Sequence, residues 1–180
     1  MATAEDILRF WFEEIQPAQW WKVDPAFDEL VRSRFGALHE RAGLCELFAW
    51  RATPARRLAE VIALDQFARN IHRGTAGAFA ADPLALALAQ EAVAAGADLQ
   101  LDVGRRAFLY MPFMHSESAA IHAAAEPLMR ERAPQHTHEF ELKHKAIVDR
   151  FGRYPHRNAI LGRESTTEEI EFLKQPGSSF

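Results

Sequence analysis

Three times in this chain a capping residue stands directly before proline: Asp24-Pro25, Thr53-Pro54 and Asp82-Pro83. That pairing starts helices. The Asp or Thr oxygen accepts from the first free N–H groups, and proline has no N–H to leave unsatisfied at the first helical position. Apolar residues with helical spacing follow each pair: Phe27, Leu30, Val31, Phe35 and Leu38, then Leu58, Val61, Ile62, Leu64 and Phe67, then Leu84, Leu86, Leu88 and Val93. No stretch alternates with period two for long enough to build a sheet. The expected fold class is therefore all-α, made of antiparallel helical hairpins. A first helix capped by Thr3 carries Ile7, Leu8, Phe10, Trp11 and Phe12. Further helices are expected over 103–110, 114–131 and 137–151, with a short acidic helix from Thr166 or Thr167 to Leu173 opened by the capping box Ser165-Thr-Thr-Glu168. Pro112 should end one helix and start the next. Pro25, Pro54, Pro83 and Pro112 are evenly spaced, which fits stacked hairpins and fits coincidence equally well.

With 180 residues, 48% of them apolar, the chain can bury one core. Residues 1–174 are expected to form a single helical domain and 175–180 a flexible tail. The formal net charge of −4 offers no global attraction for nucleic acid or an anionic membrane, so neither is expected as a partner and any anion site must be local. The single cysteine, Cys45, excludes an internal disulfide and a cysteine-rich zinc site, and is expected as a buried thiol. No signal-peptide pattern and no apolar run of membrane-spanning length is present, so a cytoplasmic location is the expectation.

Three polar clusters stand out. In Leu64-Asp-Gln-Phe-Ala-Arg-Asn-Ile-His-Arg73, a helix places Asp65 one turn from Arg69, sets Gln66 and Asn70 on an adjacent stripe and continues that side with Arg73. The plain reading is a solvated face with one ion pair. Two amides among charges also fit a stripe lining a cleft, because amides make directional hydrogen bonds. In Tyr110-Met-Pro-Phe-Met-His-Ser-Glu-Ser118, His115 and Glu117 are expected in a helical first turn, where a histidine tends to stay neutral and a neutral imidazole beside a carboxylate can act as a base. His122 could share the face of His115. The third cluster joins His144 to Arg150-Phe-Gly-Arg-Tyr-Pro-His-Arg-Asn158. Gly152 can end the helix and Pro155 prevents its continuation. Arg150, Arg153 and Arg157 exceed what a cap requires, and guanidinium groups match carboxylate and phosphate geometry. His156 and Asn158 complete this corner. No His-Glu-x-x-His, P-loop, dinucleotide fingerprint or nucleophile elbow occurs. His115, Glu117, His144 and His156 would also make a set of N and O ligands for zinc, iron or manganese, but their spacing is not diagnostic, so no metal is assigned and the sequence names no cofactor.

These residues resemble the bacterial domain-of-unknown-function family numbered nine-two-four. The matching pieces are Phe10-Trp-Phe12, Trp21 with Phe27-Asp28, Leu64-Asp-Gln-Phe67 with Arg69-Asn70 and Arg73, His115-Ser-Glu117, His144 with the segment 150–158, Leu161-Gly-Arg163 and Ser165-Thr166. The resemblance covers nearly the whole chain. It implies an all-α fold similar to tetratricopeptide-repeat proteins, a right-handed helical array, and no established activity. The chain departs from the family pattern at His122, where glutamine is expected, and at Ser118, where an acidic residue is common.

Function at this level has two leading readings. In one, the arginines 69, 73, 150, 153 and 157 grip an anionic small molecule. Asp65, Gln66, Asn70 and Asn158 then orient it, and His115, Glu117, His144 and His156 move protons. In the other, a tetratricopeptide-like groove binds an acidic peptide without catalysis. A third treats the arginines and carboxylates as a buried ion-pair network. An exposed apolar face could support a homodimer.

Overall fold

The computed structural model describes residues 2–179. Among them are eight α-helices and no strand: α1 (Ala4–Arg9), α2 (Pro25–Gly43), α3 (Pro54–Ile71), α4 (Asp82–Ala94), α5 (Val103–Met114), α6 (Ala119–Arg132), α7 (Gln135–Phe151) and α8 (Thr167–Leu173). The sequence signals act as read at most helix ends. Asp24 accepts from the N–H groups of Ala26 and Phe27, and Thr53 accepts from that of Arg56. Gly152 ends α7 in the left-handed region at φ 70°, a conformation that penalises any residue with a Cβ. Thr166 opens α8 in a capping box with Glu169, one residue later than the Ser165–Glu168 register expected.

The centre of the molecule is α3. Helices α1, α2, α4 and α5 all pack against it. Every residue from Leu58 to Ala68 is buried, including Glu60, Asp65 and Gln66. A helix surrounded on all sides has no solvated face. The expectation of an amphipathic α3 is therefore corrected, and its polar residues need internal partners. Glu60 receives two hydrogen bonds from Arg51, at 2.9 and 2.8 Å.

The N-terminal aromatics form the densest part of this core. Phe35 and Phe67 stack with centroids 4.8 Å apart, and Trp11 meets Phe67 edge-on at 5.6 Å. A turn of π-helix at Phe10–Glu14 follows α1 and carries Phe10 and Trp11 into the core. Phe67→Ala is expected to lower stability by about 3–5 kcal/mol, through lost burial and the cavity left behind. Urea denaturation should show a lower midpoint at unchanged slope.

Further expectations differ in the structure. Helix α5 runs through Pro112 and ends at His115, because Ala107–Met114 are all buried and that packing outweighs one missing N–H. The even proline spacing thus marks helix starts only at Pro25, Pro54 and Pro83. His115 closes α5 rather than opening a helix, and His122 lies on α6, so they share no helical face. Cys45 is exposed, at φ 59° in the turn after α2.

At the C-terminal end, Ser178 is buried and its hydroxyl donates to the Leu173 carbonyl at 3.1 Å. Phe180 lies outside the described residues. No helix is long and apolar enough to cross a membrane, among the described residues.

Candidate functional site

The last turns of α3, the start of α4, the end of α5 and the turn Tyr154–Asn158 meet at one place. Asp65 sits at its base, 1% exposed. Its Oδ1 lies 2.7 Å from Nδ1 of His115, and Oδ2 accepts from the Gln66 amide at 2.5 Å. Arg69 donates to the Asp65 carbonyl at 2.8 Å and lies 3.1 Å from Oδ1. Burial alone would raise the Asp65 pKa, but Arg69 and His115 outweigh it and hold the carboxyl well below the usual range. An ionised Asp65 only accepts, so Nδ1 of His115 carries the proton and Nε2 the lone pair. Burial, and then the charge of Arg69, push the His115 pKa down, so the ring is neutral near pH 7.

Asp82 joins the two central arginines. It is the first residue of α4, and the cap position itself is Ala81. Its carboxylate turns away from the helix and accepts two bonds from Arg69, at 3.0 and 3.1 Å, and one from Arg157 at 3.3 Å. Arg157 is 6% exposed and also donates to the His115 carbonyl at 3.1 Å. Its guanidinium lies over the Phe79 ring at 4.4 Å and over the Tyr154 ring at 4.7 Å. Its Nε is buried with no hydrogen-bond partner among the described residues. Burial, and then the charge of Arg69, lower the Arg157 pKa from its usual value.

Tyr154 is the hub behind this layer. Its hydroxyl donates to the Met114 carbonyl at 2.5 Å. Three imidazoles surround its ring: His122 and His144 edge-on at 6.3 and 5.8 Å, and His156 tilted at 5.6 Å. Nδ1 of His144 donates to the Phe140 carbonyl at 2.8 Å. Burial holds His144 down to about 3, against the smaller opposing effect of that bond. Burial and the neighbouring Arg157 hold His156 down to about 4. Both rings are therefore neutral across the physiological range.

The Tyr154–Asn158 turn is tied on its outer side by carboxylates. Glu117 receives two bonds from Arg163, at 2.7 and 2.8 Å, and one from the Tyr154 N–H at 2.6 Å. Arg163 also donates to the Asn158 carbonyl oxygen of the side chain at 3.0 Å, and the Asn158 amide reaches Ser165 at 3.0 Å and Glu169 at 3.3 Å. Arg153 pairs with both oxygens of Glu169, at 2.7 and 2.8 Å.

The sequence-predicted residues thus divide into three groups. Asp65, Gln66, Arg69, His115, His144, His156 and Arg157 converge around Tyr154 and Asp82. Glu117, Arg153 and Asn158 brace the turn from outside. Arg150 lies on the surface, where it pairs with Glu168, and Arg73 and Asn70 face α2, where both donate to Asp28. Asp82, Tyr154 and Arg163 were not selected as site residues. Asp82 hid behind its role as a helix-start signal. Tyr154 lies inside the arginine-rich corner, where an aromatic ring is the signal, as the one side chain there able to seat several imidazoles. Among the described residues no three His, Cys, Asp or Glu side chains are arranged to hold a metal ion.

Comparison with known proteins places this arrangement. A family model described as a bacterial protein of unknown function, DUF924, matches residues 7–177. The chain belongs to this family. A solved structure of a protein of unknown function from Agrobacterium tumefaciens shares 42% identity, covers 95% of this chain and 96% of its own, and superposes with a TM-score of 0.89. No curated protein matches the chain. The DUF924 match runs from within α1 to beyond α8, so it includes every side chain of the Asp65–Asp82–Tyr154 cluster.

Proposed function

We propose that the DUF924 chain binds a small anionic molecule beside His115, with His115 as the proton acceptor. The observation that carries this reading is the Asp65–His115 pair. A buried carboxylate holds one ring nitrogen at 2.7 Å, and the other makes no hydrogen bond among the described residues. That is the geometry of a base oriented by an acid. Arg69 and Arg157 stand next to it with guanidinium groups suited to carboxylate or phosphate. In the free protein Asp82 fills the place an anion would take. An incoming carboxylate or phosphate would exchange with it and engage the free Nε–H of Arg157. Glu117, Arg153 and Asn158 hold the turn that presents Arg157, and Arg150 and Arg73 take no part.

One observation favours a second reading. Each central arginine already has a carboxylate, and Arg69, Arg157, Asp65 and Asp82 sum to zero charge. That fits a structural ion-pair network tying the C-terminal turn to α3. The same cluster in a cytoplasmic, tetratricopeptide-like array that clamps an acidic peptide is the remaining alternative. The packing of α2 on α3 and of α6 on α7 supports such hairpins.

Thermal unfolding with inorganic phosphate against chloride at matched ionic strength separates the first two. Specific binding is expected to raise Tm by about 2–4 °C for each kcal/mol of stabilisation, which grows with the phosphate concentration L as RT ln(1 + L/Kd). The rise should vanish in Arg69→Gln and grow in Asp82→Ala, where the internal competitor is gone. No rise in Asp82→Ala would leave the structural network as the better account.

A further inference from the structure

On the opposite end of α3 from Pro54, a cleft opens between α2, the turn after α3 and the start of α4. It has two joined parts, of about 400 and 340 Å³, which share His39, His72 and Glu40. The first part is bordered by Arg32, Arg73 and Thr75. The second is bordered by Gly77, Ala81 and Leu84. The cleft therefore changes character along its length, from guanidinium groups through imidazoles and a carboxylate to apolar surface.

Its middle is built rather than incidental. His39 is 9% exposed, and its Nδ1 lies 2.8 Å from the Ala63 carbonyl. A carbonyl only accepts, so Nδ1 donates to it, and Nε2 has no hydrogen-bond partner among the described residues. His72 packs against it, with ring centroids 5.2 Å apart. The far side of His72 is closed by Gly77, where any Cβ would come within 3.0 Å of the ring. Neither nitrogen of the His72 ring has a hydrogen bond among the described residues. Burial and the adjacent His39 favour the neutral ring. Arg32 donates to the Ile71 carbonyl and to Glu29 at 3.3 Å, and Arg73 donates twice to Asp28. Each guanidinium has five N–H groups, so both keep donors free.

We propose that this cleft binds a small zwitterion with an apolar body, of the α-amino-acid class. The carboxylate goes to Arg32 and Arg73, where paired N–H donors match it. The ammonium goes to the middle, where the Glu40 carboxylate and the neutral His72 ring accept. The apolar side chain lies on Ala81 and Leu84. The three groups of such a molecule branch from one carbon, and the cleft sets guanidinium donors on one side and apolar surface on the other of a shared middle that holds Glu40. A simple anion would leave Glu40 facing it, and a simple amine would leave the arginines unanswered. The site is separate from the His115 cluster and does not depend on its reading.

The probe is L-leucine, titrated to about 10 mM while the imidazole resonances of His39 and His72 are followed by NMR. Both rings should shift and saturate. Isoamylamine and 4-methylpentanoate, which lack the carboxylate and the ammonium respectively, should bind at least about tenfold more weakly. Glu40 is exposed, so Glu40→Gln should leave the fold intact and weaken leucine by about tenfold without weakening 4-methylpentanoate. Equal binding of leucine and 4-methylpentanoate overturns the assignment, and so does an unchanged pair of histidine spectra with leucine present.

Discussion

Glu141→Ala is expected to destabilise the fold by about 3–5 kcal/mol, among the largest effects of any single polar truncation here. Glu141 and His122 are both fully buried, and their Oε1 and Nδ1 atoms lie 2.7 Å apart. Nε2 of His122 lies 2.8 Å from the Ser116 carbonyl, which only accepts, so Nε2 must carry a proton. Nδ1 and Oε1 are joined by the second hydrogen bond of the ring. Oε2 of Glu141 has no hydrogen-bond partner among the described residues, so the carboxylate depends on His122 alone. Removing the carboxylate strands the imidazole between α6 and α7, and also loosens the wall behind Tyr154. Urea denaturation of the single variants and of His122→Leu/Glu141→Leu tests this. The double variant should lose less than the sum of the singles, because replacing both partners leaves no stranded polar group. Additive losses would show that the two side chains do not act as a pair.

The second large effect is a loss of stability with acid that begins near pH 6.5. His144 and His156 fall from 6.5 to about 3 and about 4 in the folded chain. Between those values and 6.5 the unfolded chain binds protons that the folded chain excludes, so stability falls as pH falls. The contribution is complete above 6.5 and disappears as the pH approaches the folded values. At about pH 4.5 each histidine has removed roughly 2.5 kcal/mol. Glu169, held to about 2 by Arg153 and the Thr166 N–H, adds to the same limb only at lower pH. The check is denaturant stability as a function of pH for the parent and for His144→Gln. Between about pH 5 and 6 the variant should lose about 1.4 kcal/mol per pH unit of slope. An unchanged slope would mean that His144 titrates normally in the folded protein.

The helices were legible because their signals are local. Asp24, Thr53, Gly152 and Thr166 act through neighbours within a few residues, and periodic apolar positions mark the buried faces. Two local rules failed where distant packing decides. Pro112 was expected to break a helix, but Ala107–Met114 are buried on several sides at once. Asp65, Gln66 and Arg69 were read either as a solvated face or as a stripe lining a cleft, and the solvated face fails because α3 has neighbours all round. The arginine-rich corner was recognised as special from its composition. Its division into an inward Arg157, a bracing Arg153 and a surface Arg150 was not legible, because it depends on Glu168, Glu169 and Asp82 arriving from other helices. His39 and His72 drew no attention for the same reason. His39 sits on α2 and His72 directly after α3, and only the packing of α2 on α3 brings their rings together.

The central claim is that Asp65 orients His115 as a neutral base with Nε2 available to a ligand. Nitrogen-15 NMR of the His115 imidazole near pH 7, with and without phosphate, tests it most directly. The account predicts a protonated Nδ1, a bare Nε2, and a shift of Nε2 when phosphate is added. A proton on Nε2 in the free protein, or a His115 spectrum that phosphate leaves unmoved, would contradict it.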